Sequence, residues 1–325
     1  MKYLGSPLYV FSICLIFVGI SPASAADTYP SQPITLVVPF SAGSTGDITS
    51  RAITKKMGET LGQSIIVENR PSAGGIVATN LVAKAKPDGY KLLLFSNTQA
   101  VTAGLFKDLP YHTVDDFQMI GTFGAFSFGV VVPSDSPFKT LQDFIAAAKE
   151  RPGDLNIATV NVGTTQNLTA QLLKSRAGIN VVIVPYNASG AVLTALQGHQ
   201  VQVAIENMAV VAGQIKAGTL RALAVSANDR YALLPDIPTL AESGLPGFDV
   251  RSWNGIAAPR GVSASVVDRL SRAVRDAADS PEIKAQFEQL GAIPFPGTPA
   301  DMHKLVVGDI AKWTAVIKEA KIPVQ

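Results

Sequence analysis

The stretch Val37-Val38-Pro39-Phe40-Ser41-Ala42-Gly43-Ser44-Thr45-Gly46-Asp47 decides the architecture. It reads as a buried apolar strand, a loop of small residues and the start of a helix. Gly43 and Gly46 let backbone approach a bound group closely, and Ser41, Ser44 and Thr45 add hydroxyls. A helix N-terminus presents unpaired N–H groups and the positive end of the helix dipole. Such a loop holds a carboxylate or phosphate without a basic side chain. The same residues also fit a capping box, with Ser44 as the cap and Asp47 reaching back to it. That second reading needs no ligand. No Gly-Lys-Ser/Thr follows, which excludes a nucleotide-binding P-loop.

On both sides of this loop, strand and helix alternate. Residues 34–40 read as a strand. Residues 48–61 read as a helix, with Ile53, Met57 and Leu61 at four-residue steps and Gly62 as a stop. A strand over 64–68, a helix over 76–85 and a strand over 90–95 follow. This β-α-β-α-β order predicts a parallel sheet with right-handed crossovers. A second series begins near Phe128, with strands over 129–132, 155–160, 181–184 and 201–205. Its helices cover 141–149, 166–177 and 191–197, and segments 210–217 and 220–226 close it. Each series has a strand that runs into a small polar loop at a helix start, over 40–46 and over 158–165. Ligands of open parallel sheets bind beyond the carboxyl ends of the strands. Two such units facing each other enclose a cleft; one continuous sheet with two unrelated loops is the competing arrangement. The tail, with a strand near 253–258 and helices near 265–278, 281–290 and 301–320, is expected to pack on the first unit. The chain then crosses between units near 125–130 and 225–230.

The N-terminus has the pattern of a signal peptide over 1–25: Lys2, an apolar run from Leu8 to Ile20, and Ala23-Ser24-Ala25. The run is short of the ~20 residues a membrane span needs, so a retained anchor is the weaker alternative. The mature chain is expected to be soluble and periplasmic. The single cysteine, Cys14, lies in the leader, which excludes a disulfide framework, a thiolate metal site and a cysteine nucleophile. A chain with 27 Lys and Arg against 25 Asp and Glu has no basic footprint for nucleic acid. His112, His199 and His303 are far apart and lack metal-ligand spacing. No Gly-x-Ser-x-Gly elbow occurs. Of the nucleophile, base and oxyanion donors an active site needs, only donors are evident. No enzyme activity, cofactor or metal is expected, although carboxylates cannot be paired across a fold from sequence, which keeps a carboxylate-processing enzyme as an alternative.

A set of short motifs recurs in order along the mature chain. They include Gln32-Pro33-Ile34, Val37 to Gly43, Asp47 with Arg51, Leu61-Gly62-Gln63, Val67-Glu68-Asn69-Arg70-Pro71 and Ala73-Gly74-Gly75. Lys86-Pro87-Asp88-Gly89-Tyr90, Leu109-Pro110-Tyr111, Val184-Pro185-Tyr186, Leu220 to Val225, Leu234 to Thr239, Glu242-Ser243-Gly244 and Trp253-Asn254-Gly255 continue it. Together these resemble the periplasmic solute-binding receptors of tripartite tricarboxylate transporters, the Bug or TctC-type receptors. The resemblance implies a two-domain Venus-flytrap α/β fold, type II-like, with a parallel-rich sheet in each domain. Domain I would hold 26–127 plus 228–325, and domain II 128–227, with the ligand cleft between them. It also implies capture of a small organic carboxylate by a monomer, then transient delivery to a permease of two integral membrane subunits. A ligand-presenting receptor for a sensor kinase would share the same binding chemistry.

The resemblance and the helix-start argument select candidate ligand residues. These are Phe40, Ser41, Gly43, Ser44, Thr45 and Asp47 in the first loop and Thr159, Asn161, Gly163 and Thr164 in the second. Ser96 and Thr98, with Asn97, end the third strand. Tyr186, Asn187 and Asn207, beside Glu206, end strands of the second unit. Asp47 would repel an anion at close range, so capping supported by Arg51 is its favoured role. Arg70 is expected to anchor its loop, and Trp253 to lie in the core. Phe126 and Phe128 fit core or hinge packing at the crossover. The sequence departs from the family pattern at Ser44 (a second glycine elsewhere), Asn167 (commonly His) and Asn187 (commonly Lys). These changes lower positive charge near the cleft and favour a mono- or dicarboxylate with an uncharged body, aromatic acids included, over a citrate-like ligand.

Overall fold

The computed structural model describes Met1 and residues 29–325; the expected leader lies outside the described residues. The first unit opens with β1 (Ile34–Val38), α1 (Thr45–Leu61), β2 (Ile65–Asn69), α2 (Ile76–Ala83) and β3 (Lys91–Ser96). The three strands are parallel in the order β2-β1-β3. Helix α1 buries Ile53, Met57 and Leu61, the stripe its spacing predicts, and ends at Gly62 in the left-handed region. Helix α3 (Asn97–Leu105) follows β3 without a loop. Sequence reading placed only turn-like residues there. Its start is a capping box, in which Ser96 and Gln99 satisfy each other's backbone N–H groups.

A single long strand, β4 (Phe117–Pro133), then runs through the whole molecule. The expected strand covered only 129–132. Every residue of β4 except Gln118 is buried, so the period-two alternation that reveals a strand is absent. The second unit continues with α4 (Leu141–Glu150), β5 (Asn156–Val160), α5 (Thr165–Ala177), β6 (Val182–Tyr186), α6 (Ser189–Gln197), β7 (Val203–Asn207), α7 (Met208–Lys216) and β8 (Leu220–Val225). The chain returns through β9 (Arg251–Pro259), α8 (Ala264–Asp279), α9 (Pro281–Gln289), β10 (Ile293–Pro294) and α10 (Pro299–Glu319).

The strand order is β2-β1-β3-β9-β4-β7-β5-β6, with β8 and β10 also on β4. Up to Ser127, β4 pairs antiparallel with β9; from Phe128 onward it pairs with β7 and β8. The two sheet halves are therefore one hydrogen-bonded path, because β4 belongs to both. Each half keeps three parallel strands, β2-β1-β3 and β7-β5-β6, beyond its antiparallel crossover strands. Tail elements β9, α8 and α9 pack on the first half. Helix α10 does not keep to that side. Trp313, Val316 and Ile317 join Ala100, Val101 and Leu105 of α3 in one apolar core with Phe128, Val130, Leu168 and Leu173 of the second half. No helix among the described residues is long and apolar enough to cross a membrane.

Where β4 changes partners, one serine ties the crossovers together. Ser226 donates its N–H to Phe128 O (2.8 Å), while its Oγ accepts from Phe128 N (3.0 Å) and donates to Val250 O (2.6 Å). Val250 N in turn donates to Ser226 O at 2.9 Å. The side chain is 1% exposed, so water cannot replace it. Ser226→Ala leaves a buried N–H and C=O unpaired and is expected to lower unfolding free energy by about 1–3 kcal/mol, measured by denaturant titration.

Candidate functional site

The two strand–loop–helix turns are built alike, residue for residue, 120 positions apart. Ser41-Ala42-Gly43-Ser44-Thr45-Gly46-Asp47-Ile48-Thr49 aligns with Asn161-Val162-Gly163-Thr164-Thr165-Gln166-Asn167-Leu168-Thr169. Gly43 and Gly163 both have φ +80°, a conformation that L side chains rarely adopt. Ser44 N donates to Ser41 O, and Thr164 N to Asn161 O, each at 3.2 Å. Ser44 Oγ caps α1 by accepting from Asp47 N (3.2 Å), and Thr164 Oγ1 caps α5 by accepting from Asn167 N (3.3 Å). This offset of 120 was the signal in the sequence that comparing strand order alone overlooked.

The residue at the third helical position anchors each loop from beneath. Asp47 Oδ2 accepts from Gly43 N (2.9 Å), and Asn167 Oδ1 from Gly163 N (3.4 Å). Asp47 therefore reaches one residue further back than a simple capping box predicts. Its carboxylate also accepts from Arg51 Nε (3.0 Å) and Asn69 Nδ2 (2.9 Å), and Asn69 donates to Phe40 O as well. Asp47 is 2% exposed and faces these partners. Asn69 is the anchor expected of Arg70, which instead pairs with Glu68 at the surface. In the second loop Asn167 Nδ2 donates to the fully buried Thr159 Oγ1 at 3.1 Å.

With these partners assigned, α1 has two first-turn donors left, Thr45 N–H and Gly46 N–H. Helix geometry gives them no intrahelical acceptor, and among the described residues neither donates to a protein group. Thr165 N–H and Gln166 N–H stand in the same position on α5. Ser41, Gly43, Thr45 and Asn161 are exposed, and Ser44, Gly163 and Thr164 are half-buried. The half-buried Phe40 ring lies over Gly46, where an added Cβ would sit 2.7 Å from the ring. Arg51 is occupied by Asp47 and Asn69. The groups these loops leave free are backbone N–H groups and hydroxyls at the positive ends of helix dipoles.

Helix starts from both halves meet here. Asn97 at the head of α3 donates from Nδ2 to Thr165 Oγ1 of α5 (2.5 Å) and accepts at Oδ1 from Ser252 of β9 (2.9 Å). A Cβ on Gly163 would come within 2.9 Å of Leu105 of α3, so glycine permits this approach. Ser96 is buried and spent on capping α3, beside the half-buried Thr98. Asn207 caps α7 through Ala209 N (2.9 Å). Tyr186 is half-buried and its carbonyl accepts Asn161 N (3.0 Å), while Asn187 is exposed. Trp253 and the phenylalanines 126 and 128 are buried core residues. No group of three or more His, Cys, Asp or Glu among the described residues could hold a metal ion.

Two carboxyls under the site are shifted in opposite directions. Burial acts to raise the Asp47 carboxyl, but hydrogen bonds from Arg51, Gly43 N–H and Asn69 outweigh it and hold it below the usual range. Glu206 faces neutral groups instead, and burial pushes its carboxyl up despite the Asn207 N–H and the nearby Ser189 and Gln166 side chains, which act to lower it. The signs of the two stability effects are opposite. The Asp47 contribution is complete above its unfolded pKa of about 3.9 and is lost as pH falls through the folded value. Asp47→Ala should cost about 1–3 kcal/mol at pH 7. Asp47→Asn, which copies the second loop, should cost less and make the acid-side dependence in thermal melts shallower than in the native chain. The Glu206 contribution is present below about pH 4.3 and is lost as pH rises through the raised folded value. Glu206→Gln should therefore gain stability relative to the native chain between acid and neutral pH, read from melting temperatures across that range.

Two parallel α/β halves sharing a crossover strand, with opposed helix starts between them, define the two-domain periplasmic binding protein class. The profile described as the tripartite tricarboxylate transporter family receptor, TctC, matches residues 49–322. BugT of Bordetella pertussis is 33% identical over 314 residues, covering 96% of each chain. The structure of R. palustris Rpa4515 with adipate superposes with a TM-score of 0.76 at 32% identity, covering 91% of this chain and 99% of that one. MatC from Rhodopseudomonas palustris with bound malate gives 0.72 at 32% identity, covering 89% and 100%. The chain belongs to the TctC, or Bug, family of periplasmic solute-binding receptors.

Proposed function

We propose that this receptor captures a small organic mono- or dicarboxylate with an uncharged aliphatic or aromatic body. It delivers that ligand to a tripartite transporter permease of two integral membrane subunits, and it catalyses no reaction. The observation that carries this reading is the duplicated loop. Among the described residues each copy leaves first-turn N–H donors without protein acceptors, and the Arg51 guanidinium behind the first loop is paired with Asp47 and Asn69. A carboxylate has acceptor oxygens for such donors, and the helix dipoles favour its charge. Relatives with adipate and with malate bound support the same ligand class. The halves 26–127 plus 228–325 and 128–227 act as lobes, with the partner change in β4 and the Ser226 tie as the hinge. Ligand that contacts both loops favours the closed state by its differential affinity.

The test is a thermal-shift panel on residues 26–325 with dicarboxylates, tricarboxylates, acidic amino acids and aromatic acids, with sugars and cations as controls. A ligand at 100 times its Kd should add about 2.7 kcal/mol to stability. Thr45→Pro removes one free N–H at the first helical position, where proline is tolerated, and Ser44 already has the extended conformation that proline requires of its predecessor. This variant should keep its ligand-free melting temperature and lose about 1.5–3 kcal/mol of carboxylate affinity, the value of a hydrogen bond to a charged group. Unchanged carboxylate affinity in Thr45→Pro, or a shift with neutral or cationic controls alone, would remove the loops from the ligand site.

A further inference from the structure

We propose that Glu206 is a proton-linked specificity residue of the cleft: it meets the ligand in its neutral form, so that capture of a carboxylate is coupled to uptake of a proton. The inference rests on the carboxylate reading above. Glu206 stands at the carboxyl end of β7, where the strands of the second half run out into helix starts, and it is 0% exposed. Its Oε1 accepts the Asn207 N–H at 2.7 Å, whereas Oε2 is buried with no hydrogen-bond partner. Ser189, the first residue of α6, and Gln166, in the first turn of α5, approach the carboxyl. Its cross-strand neighbour on β4 is Gly129, which has no side chain to offer. The unpartnered oxygen therefore lies among the helix starts that surround the proposed ligand position.

The surroundings decide the charge state. The groups facing Glu206 are Gln166 from α5, Ser189 from α6 and the Asn207 N–H that opens α7; none is charged. Among the described residues no Lys, Arg or His on these elements, or on β4 and β5, pairs with it. The basic residues Lys174 and Arg176 of α5 and Lys216 of α7 sit in the last turns, at the opposite ends of their helices. An ionised Glu206 beside a bound carboxylate places two like charges in one low-dielectric cleft. A neutral Glu206 has an O–H on Oε2 that donates to the ligand and satisfies an otherwise unpaired buried atom. The proton comes from solvent as the anion enters, and no proton leaves. By linkage, affinity is flat below the carboxyl's own pKa in the free protein. Above it, affinity falls by at most about tenfold per pH unit.

The test is calorimetric titration of residues 26–325 with succinate, adipate, malate and benzoate between pH 6.5 and 8.5. Each pH is run in phosphate and in Tris, whose different ionisation enthalpies reveal proton uptake. The native chain should take up a fraction of a proton that grows with pH, and lose affinity as pH rises. Glu206→Gln keeps a neutral donor and should bind with no uptake and a flat pH profile. Glu206→Met removes the donor and should bind about tenfold more weakly than Glu206→Gln throughout. Carbon-13 titration of the native Glu206 carboxyl, with and without adipate, reads the same coupling without a variant; bound ligand should move its midpoint to higher pH. Carboxylate binding with equal pH profiles in the native and Gln chains, and no proton uptake, would overturn this inference and leave the proposed function standing. Folded protein that binds none of the carboxylates would overturn both.

Discussion

One strand serving two sheet halves is the constraint on which the rest of this structure depends. Because β4 bonds to β9 up to Ser127 and to β7 and β8 from Phe128, the halves cannot separate without breaking a continuous ladder. Ser226 concentrates four hydrogen bonds at that place. The helix pair α3 and α10 adds apolar contact that is common to both halves. Helix starts of the two halves meet where Asn97 of α3 donates to Thr165 of α5.

Those helix starts are the site proposed for the ligand. Loop geometry that would otherwise be variable is held by an anchor under each turn: Asp47 with Arg51 and Asn69 in one, Asn167 with Thr159 in the other. The same backbone is thus supported by an ion pair on one side and by neutral amide hydrogen bonds on the other. A charged anchor needs its own cation to be kept in a buried position, and Arg51 fills that role. The anchors use up side-chain polarity inside the loops, so the surface that remains for a ligand is backbone N–H and hydroxyl. That surface is the basis for proposing an anion of modest charge as the ligand. Glu206 is the exception, a buried acid without a cation, and its position beneath the helix starts gives it chemical meaning.

The parts of the fold that were legible in the sequence are those with a local signal. Ile53, Met57 and Leu61 announce α1 by period, and Gly62 announces its end. The parallel order of β1, β2 and β3 follows from alternating strand and helix. Two elements escaped for physical reasons. Strand β4 is buried on both faces and loses its alternation; α3 is short, apolar only in part, and starts on the residue after a strand. Helix α10 was assigned to the first half by chain order, but Trp313 and Val316 pack where volume was available, in the core of both. In the site, the loops were readable from glycines and hydroxyls. The anchors Asn69 and Asn167 were not, because nothing in sequence says which polar side chain will lie under which turn.

The sequence by itself determined the repeating strand–loop–helix units and the cap at Ser44, since each depends on residues within a few positions of one another. Tertiary structure alone decided that α3 and α5 would meet through Asn97 and Thr165, that Ser226 would tie Phe128 to Val250, and that Glu206 would be enclosed without a cation. The first two of these features join residues separated by 24 to 98 positions. Their energies come from burial and from partners that only the folded chain supplies.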